Sequence, residues 1–285
     1  MELCHYTNLE AFKSIIESEE LWAQSFYYMN DTTEYRWIIQ ILNQYSNKYY
    51  LDLHKIFSKI ISKLENMQNQ SIPYLISFSS KKNDLNQWRS YSKDGIGVCM
   101  VFENYNKLPQ IDDLNEKKAL EFDILKKSIQ NWSLAKVNYI DPDKDFNFLS
   151  FISRFIEAIH MEEKYDEKDQ IFFNLIVLKL WLLSISIKHF NFNEELEYRI
   201  FKYWTTNTKL LESSSVNKND RQELKYFVNN DNLRSYLSFK YKDYLSLKEV
   251  ILGPKYLGSI LDVEWFLQKN SLKNVKVIKS NVPYR

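Results

Sequence analysis

Four short stretches hold side chains whose types and spacing could do chemistry. The most pointed is Phe192-Asn193-Glu194-Glu195-Leu196-Glu197-Tyr198-Arg199. On a strand, Glu195, Glu197 and Arg199 would share one face, because successive side chains alternate between the two sides. Inside a cleft, the guanidinium would keep a carboxylate ionised. That carboxylate could then stabilise the positive sugar carbon that develops as a glycosidic bond breaks. On an open surface the same residues are a salt-bridge ladder, contributing about 0–1 kcal/mol per pair.

The other three stretches are weaker alone. Cys4-His5-Tyr6-Thr7 places His5 and Thr7 on one side of an opening strand, where the plain reading of a single histidine is a packed ring bonded to a carbonyl. Ile76-Ser77-Phe78-Ser79 presents two hydroxyls on one strand face, suited to a sugar or a neighbouring carboxylate. Gln87-Trp88-Arg89-Ser90-Tyr91 offers an indole and a phenol that can stack on a flat heterocycle, and a guanidinium that can clamp pyrophosphate. Its plainer reading makes Trp88 and Tyr91, three apart, a buried stripe with Arg89 in solvent. His160-Met161-Glu162-Glu163 lacks the second histidine that a helical zinc-protease motif needs, and no serine sits in a nucleophile elbow.

Composition narrows the chemistry. The only glycines are Gly95, Gly97, Gly253 and Gly258, too few and wrongly placed for a dinucleotide fingerprint or a P-loop. A nucleotide bound here is held without either device. Cys4 and Cys99 stand far apart with no metal-ligand spacing, which argues against a disulfide framework or a structural zinc. The formal charge of +1 gives no global field for nucleic acid or anionic membrane. The opening residues lack a secretory signal, so a cytoplasmic protein is expected. Residues 171–187 are the most apolar run, but polar interruptions and a length below the ~20 residues of a membrane span make them a buried helix.

The elements that must position these side chains can be placed from pattern. Residues 3–6 read as a strand, with Thr7 or Asn8 capping a helix whose inner face is Leu9, Phe12, Ile15 and Ile16. A turn at Asn30-Asp31-Thr32 leads into a helical region over 33–66 that breaks near Asn47. Ser71-Ile72-Pro73 resets the chain into a strand over 74–79, and Asn83 or Asp84 starts a short helix ended by Gly95. Residues 96–102 and 135–140 read as strands, and two helices are expected between 148 and 188. A strand over 196–204 precedes a polar stretch, 205–220, that suits a lid or a target-recognition element. Strands at 237–241, 248–252 and 275–279, a turn at Gly253-Pro254 and a helix over 256–269 complete the chain. The expectation is one domain, 1–285, with helical insertions near 33–66 and 148–188.

These segments resemble a bacterial family catalogued as domain of unknown function 2971. The resemblance rests on His5-Tyr6-Thr7, Asn30-Asp31-Thr32-Thr33-Glu34, Ser77-Phe78-Ser79, and Trp88 with Tyr91 before Gly97. It continues through Lys188 with Glu195, Glu197 and Arg199, Ile251-Leu252-Gly253-Pro254, and Ser280 with Pro283-Tyr284-Arg285. That family in turn resembles the ADP-ribosyltransferase superfamily. The likeness implies an α+β fold, an ADP-ribosyltransferase-like split mixed β-sheet with long helical insertions, and NAD as substrate. By it, Glu197 would be the catalytic carboxylate, Glu195 would orient the target, and His5, helped by Thr7, would bond the nicotinamide ribose. Ser77 or Tyr91 would support the nicotinamide side, and Tyr6, Ser79, Trp88, Arg89 and Arg199 would complete the NAD cleft. A macromolecular acceptor, protein or nucleic acid, and a neutralising partner protein in a toxin or antiphage setting are further implications. His5 stands where the Glu-x-Glu class has arginine, so the subclass stays open. A nucleotide- or partner-sensing module and an NAD glycohydrolase are the rival expectations.

Overall fold

The computed structural model describes residues 1–29, 34–49, 54–104, 108–111, 131–141, 144, 167–205, 223–229 and 231–284. The turn at Asn30-Asp31-Thr32, the first of the two helices expected between 148 and 188, His160-Met161-Glu162-Glu163 and the polar stretch from residue 206 lie outside these residues. The described architecture is mixed α+β, built on a largely antiparallel eleven-stranded sheet.

The strands are β1 Glu2–Thr7, β2 Glu20–Ser25, β3 Ser71–Ser79, β4 Val98–Asn104, β5 Gln110–Ile111, β6 Ser133–Lys136, β7 Asn138–Ile140, β8 Ile187–His189, β9 Glu197–Thr205, β10 Lys225–Asn229, β11 Asn232–Lys240, β12 Leu245–Leu252 and β13 Lys276–Lys279. Helices α1 Leu9–Ser18, α2 Trp37–Tyr49, α3 His54–Gln70, α4 Leu85–Tyr91, α5 Glu167–Leu183 and α6 Ile260–Lys269 lie between them. One path through the sheet runs β10-β11-β2-β3-β1-β4-β12-β13, while β9 lies along β3 and carries β6 and then β5. Strands β7 and β8 form a small parallel pair of their own.

Alternation along the strands separates the interior. Tyr74, Ile76, Phe78, Met100, Phe102 and Ile200 face one side, packed with Phe12, Ile15 and Ile16 of α1 and with Val263 and Leu267 of α6. Leu75, Phe201 and Tyr203 face the other side, under α2, α3 and α5. Helix α5 confirms the apolar run as buried protein interior: Ile176, Val177, Leu180 and Trp181 all join this core. No helix among the described residues is long and apolar enough to cross a membrane.

Strand β3 organises the functional face. One edge pairs with β9 over all nine positions, Ser71 with Thr205 through Ser79 with Glu197. The other edge is divided, since β2 takes Tyr74 and Leu75 and β1 takes only Ser79, through Cys4. Residues 76–78 pair with β9 alone, and a cleft opens between β1 and β2. Pro73 is tolerated three residues inside β3 because the pairing with β2 ends at Tyr74, so its missing N–H interrupts no ladder there.

Several expectations shift in detail. Asn8, not Thr7, caps α1, its side chain accepting from the Ala11 N–H at 2.7 Å. Asp84, not Asn83, caps α4, accepting from Asn86 at 3.0 Å and Gln87 at 3.1 Å. The strand expected over 135–140 is two strands in two sheets, parted at Val137, whose N–H donates to the Glu197 carbonyl at 3.0 Å. Strands β2 and β10 were not expected. The glycines serve backbone packing: Gly253 donates to the Gly97 carbonyl at 2.9 Å, and a Cβ on either glycine would run into a facing carbonyl.

Candidate functional site

At the divided edge of β3 lies a cavity of about 450 Å³, within the range of small-ligand sites. Its lining includes His5, Ser77, Lys188, Glu34, Glu195 and Glu197, with Trp22, Tyr28, Tyr91 and Phe192 as aromatic walls. Of the residues singled out in the sequence, His5, Tyr6, Ser77, Ser79, Tyr91, Glu195 and Glu197 border this space.

The centre is an ionic cluster. Arg199, fully buried, grips Glu197 with both arms of its fork, Nε donating to Oε1 at 2.8 Å and Nη2 to Oε2 at 2.9 Å. Its remaining donors reach Glu34 Oε1 at 2.7 Å and the Ile185 carbonyl at 2.7 Å. Lys188, delivered by β8, lies 2.6 Å from Glu195, 3.3 Å from Glu197 and 3.5 Å from Glu34. The Ser77 hydroxyl donates to Glu197 Oε1 at 2.6 Å, and the Glu197 N–H donates to the Tyr139 hydroxyl at 2.8 Å. Burial pushes the Glu197 carboxyl up, but the Arg199 charge and hydrogen bonds, the Lys188 charge and the Ser77 hydroxyl outweigh it and bring the pKa down to about 2. Burial pushes Lys188 down, yet the charges of Glu197 and Glu34 leave it raised and protonated. Counted formally, two cations (Lys188, Arg199) face three carboxylates (Glu34, Glu195, Glu197), and 2 − 3 leaves −1.

Glu195 reaches this cluster from outside the strand. It ends the 3-10 turn Phe190–Glu195, and Leu196 follows in the left-handed region with φ 42°. That bend is why the expected Glu195–Glu197–Arg199 strand face begins only at Glu197. The Ser79 hydroxyl holds the turn, donating to the Glu195 carbonyl at 2.7 Å, while the Tyr91 hydroxyl donates to Glu195 Oε1 at 3.1 Å.

His5 approaches differently. Alternation puts its ring beside Phe78 and opposite Met100, on the sheet side facing α1 and α6, not the side of the Ser77 hydroxyl. It borders the cavity through the parting of β1 from β3, where its Nδ1 lies 3.1 Å from the Ser77 carbonyl. A carbonyl only accepts, so Nδ1 carries the proton. Burial lowers the pKa of His5 and the Ser77 carbonyl only partly opposes that, so the ring is neutral at pH 7. Ser77 thus joins the two residues, by its carbonyl to His5 and by its hydroxyl to Glu197.

Three residues expected in the cleft lie elsewhere, and a fourth stands behind it. Thr7 is buried, its carbonyl taking the Ser92 hydroxyl at 3.3 Å. Trp88 is fully buried against Tyr6, Cys4 and Cys99, edge-on to Tyr6 with centroids 5.0 Å apart, and its Nε1 donates to Asn83 at 3.0 Å. The Arg89 guanidinium lies 5.4 Å from the Tyr284 ring, turned to the C-terminal segment. Arg199 does not line the cavity but backs it through Glu197. Conversely, Glu34, Lys188 and Tyr139 were given no role in the sequence reading. No cluster of metal-ligating side chains occurs among the described residues.

Residues 87–200 match the family model described as protein of unknown function (DUF2971). The chain carries a region of that family. The matched DUF2971 stretch spans α4 to the middle of β9 and so contains Tyr91, Lys188, Glu195, Glu197 and Arg199, while His5, Ser77 and Glu34 fall before it. No curated protein and no solved structure matches the chain.

Proposed function

We propose that this DUF2971 protein cleaves the bond between nicotinamide and ribose in NAD and passes ADP-ribose to a macromolecule, in a toxin or antiphage setting. The observation that carries this reading is Ser77 linking His5 and Glu197 at a cavity that holds a formal −1 among aromatic walls. When the C1′–N bond breaks, its electron pair leaves with nicotinamide and positive charge develops on C1′. Glu197, fixed and ionised, stabilises that charge without reorganising. The acceptor then bonds to C1′, and Glu195, more open to solvent than Glu197, takes its proton. The divided edge of β3 supports an ADP-ribosyltransferase-like reading of the sheet.

One specific observation favours a second reading, a catalytically silent nucleotide sensor. Both Glu197 oxygens are already engaged, one by Ser77 and Arg199, the other by Arg199 and Lys188. The test is incubation of the wild-type protein and Glu197→Gln with cell extract and NAD labelled in each half, with circular dichroism confirming that the variant folds. Transfer of the adenylate label to protein, RNA or DNA, with a loss of ~10²-fold or more in the variant, supports the transferase. Nicotinamide release without transfer makes it a glycohydrolase. Saturable binding with no release leaves the sensor.

A further inference from the structure

Strand alternation carries the functional face beyond the cavity onto β2 and β11. Gln24 is registered with Tyr236 and Trp22 with Ser238, so Trp22, Gln24, Arg234 and Tyr236 project from the same side. Trp22 stacks on Tyr236 with centroids 4.3 Å apart and planes 23° from parallel, and still exposes 40% of its surface. The Arg234 guanidinium lies 4.9 Å from the centre of the Tyr28 ring. Trp22, Gln24 and Tyr28 all line the cavity.

Arg234 is the unusual member. Its Nε is buried without a hydrogen-bond partner, and no side-chain hydrogen bond or ion pair engages the guanidinium among the described residues. Lys225 on the neighbouring strand, by contrast, is paired with Glu20 at 3.2 Å. A guanidinium held against a ring with its donors unspent is suited to a planar or tetrahedral anion, above all phosphate. The functional face therefore has two ends, a formal −1 around Glu197 inside the cavity and, beyond its Tyr28 wall, the Arg234 cation packed on that ring. A phosphate would be repelled at the first end and bound at the second.

We propose that Arg234, Tyr28 and Trp22 form a diphosphate-and-base subsite: Arg234 holds the phosphates of a dinucleotide and Trp22 stacks on its adenine, while the acidic end receives the nicotinamide ribose. The orientation rests on the NAD-cleaving reading above; the anion-binding role of Arg234 does not.

Calorimetry on the full chain tests this with NAD, ADP-ribose, and nicotinamide riboside, which lacks the diphosphate. Arg234→Gln should weaken NAD and ADP-ribose by roughly tenfold or more and leave the riboside within about twofold, with Arg234→Lys intermediate because it keeps the charge and loses the fork. Trp22→Ala should weaken ADP-ribose more than ribose 5-phosphate, which has no base to stack. Thermal midpoints within a few degrees of wild type exclude misfolding as the cause. Equal loss for all ligands, no loss, or a wild-type protein that binds none of them overturns the subsite. If wild type binds ADP-ribose through Arg234 but never releases nicotinamide, only the catalytic reading falls. If it releases nicotinamide with a KM unchanged in Arg234→Gln, only the subsite falls.

Discussion

Glu197 and Arg199, two positions apart on β9, form a buried two-armed ion pair whose guanidinium also reaches Glu34 at 2.7 Å, 165 positions away in the chain. Short-range strand geometry puts the first two side chains on one face, and the tertiary fold brings the third. The group most central to the site is therefore also one that joins β9 to the turn preceding α2.

Removing Arg199 strands two carboxylates with Lys188 as the only neighbouring cation among the described residues. Arg199→Met should cost roughly 3–5 kcal/mol, the usual result of breaking a buried pair from one side. Adding Glu197→Gln should recover part of that loss, since the second change removes an uncompensated ion. Urea unfolding of the single and double variants measures both. A loss below ~1 kcal/mol for Arg199→Met, or strictly additive effects, would contradict the ionic geometry.

Acid should act through Glu197. Its carboxyl is lowered from 4.5 to about 2 in the folded protein, so its stabilisation is fully present above the unfolded value and is lost as pH falls from about 4.5 to about 2. The depression corresponds to about 3 kcal/mol. Glu197→Gln should therefore be less stable near neutrality but lose less stability across this window than wild type. Unfolding free energies at pH 5, 4 and 3 decide it: parallel curves would mean that Glu197 is not the titrating group.

Tyr91 should report function without reporting stability. Its hydroxyl, partly covered, bonds Glu195 at 3.1 Å from a residue that keeps 40% of its surface exposed, so Tyr91→Phe should change stability by less than ~1 kcal/mol. If Glu195 serves the acceptor, loosening it should lower kcat/KM by up to about tenfold. Burial and the Glu195 charge push the phenol up to about 12, so the wild-type rate should show no ionisation of Tyr91 near pH 10. Absence of any kinetic change would remove Tyr91 and Glu195 from the acceptor side.

What was legible in the sequence follows the range of the forces involved. Strand β9, helix α1 and the Asp84 cap rest on local alternation, periodicity and side-chain capping, and they appear close to where those patterns put them. Glu34 carried no local sign of its role, because a charge tells of its burial only through partners that the fold supplies. Lys188 did offer a hint: it directly follows the apolar run 171–187, an unusual place for a solvated lysine. Strand β2 escaped because its six residues are short and partly polar, and its partners β3 and β11 are distant in sequence. The turn at Glu195 escaped because Leu196 adopts a left-handed conformation that leucine rarely takes.

Trp88 separates a core role from a ligand-stacking one. An indole that stacks on a heterocycle must present a face to the cavity, whereas Trp88 is fully buried beneath Tyr6 and Cys99 and spends its only donor on Asn83. Trp88→Ala should thus cost about 3–5 kcal/mol, and Trp88→Phe, which keeps the ring contact but loses volume and the hydrogen bond, roughly 1–3 kcal/mol. Asn83 also accepts the Ser280 hydroxyl at 2.6 Å, so part of the Phe variant's loss should appear as faster hydrogen exchange in the segment after β13. Nucleotide affinity per folded molecule should stay within about twofold for Trp88→Phe, as expected for a side chain that touches no ligand. A tenfold loss of affinity at unchanged stability would instead put Trp88 in the cleft and require α4 to move when ligand binds.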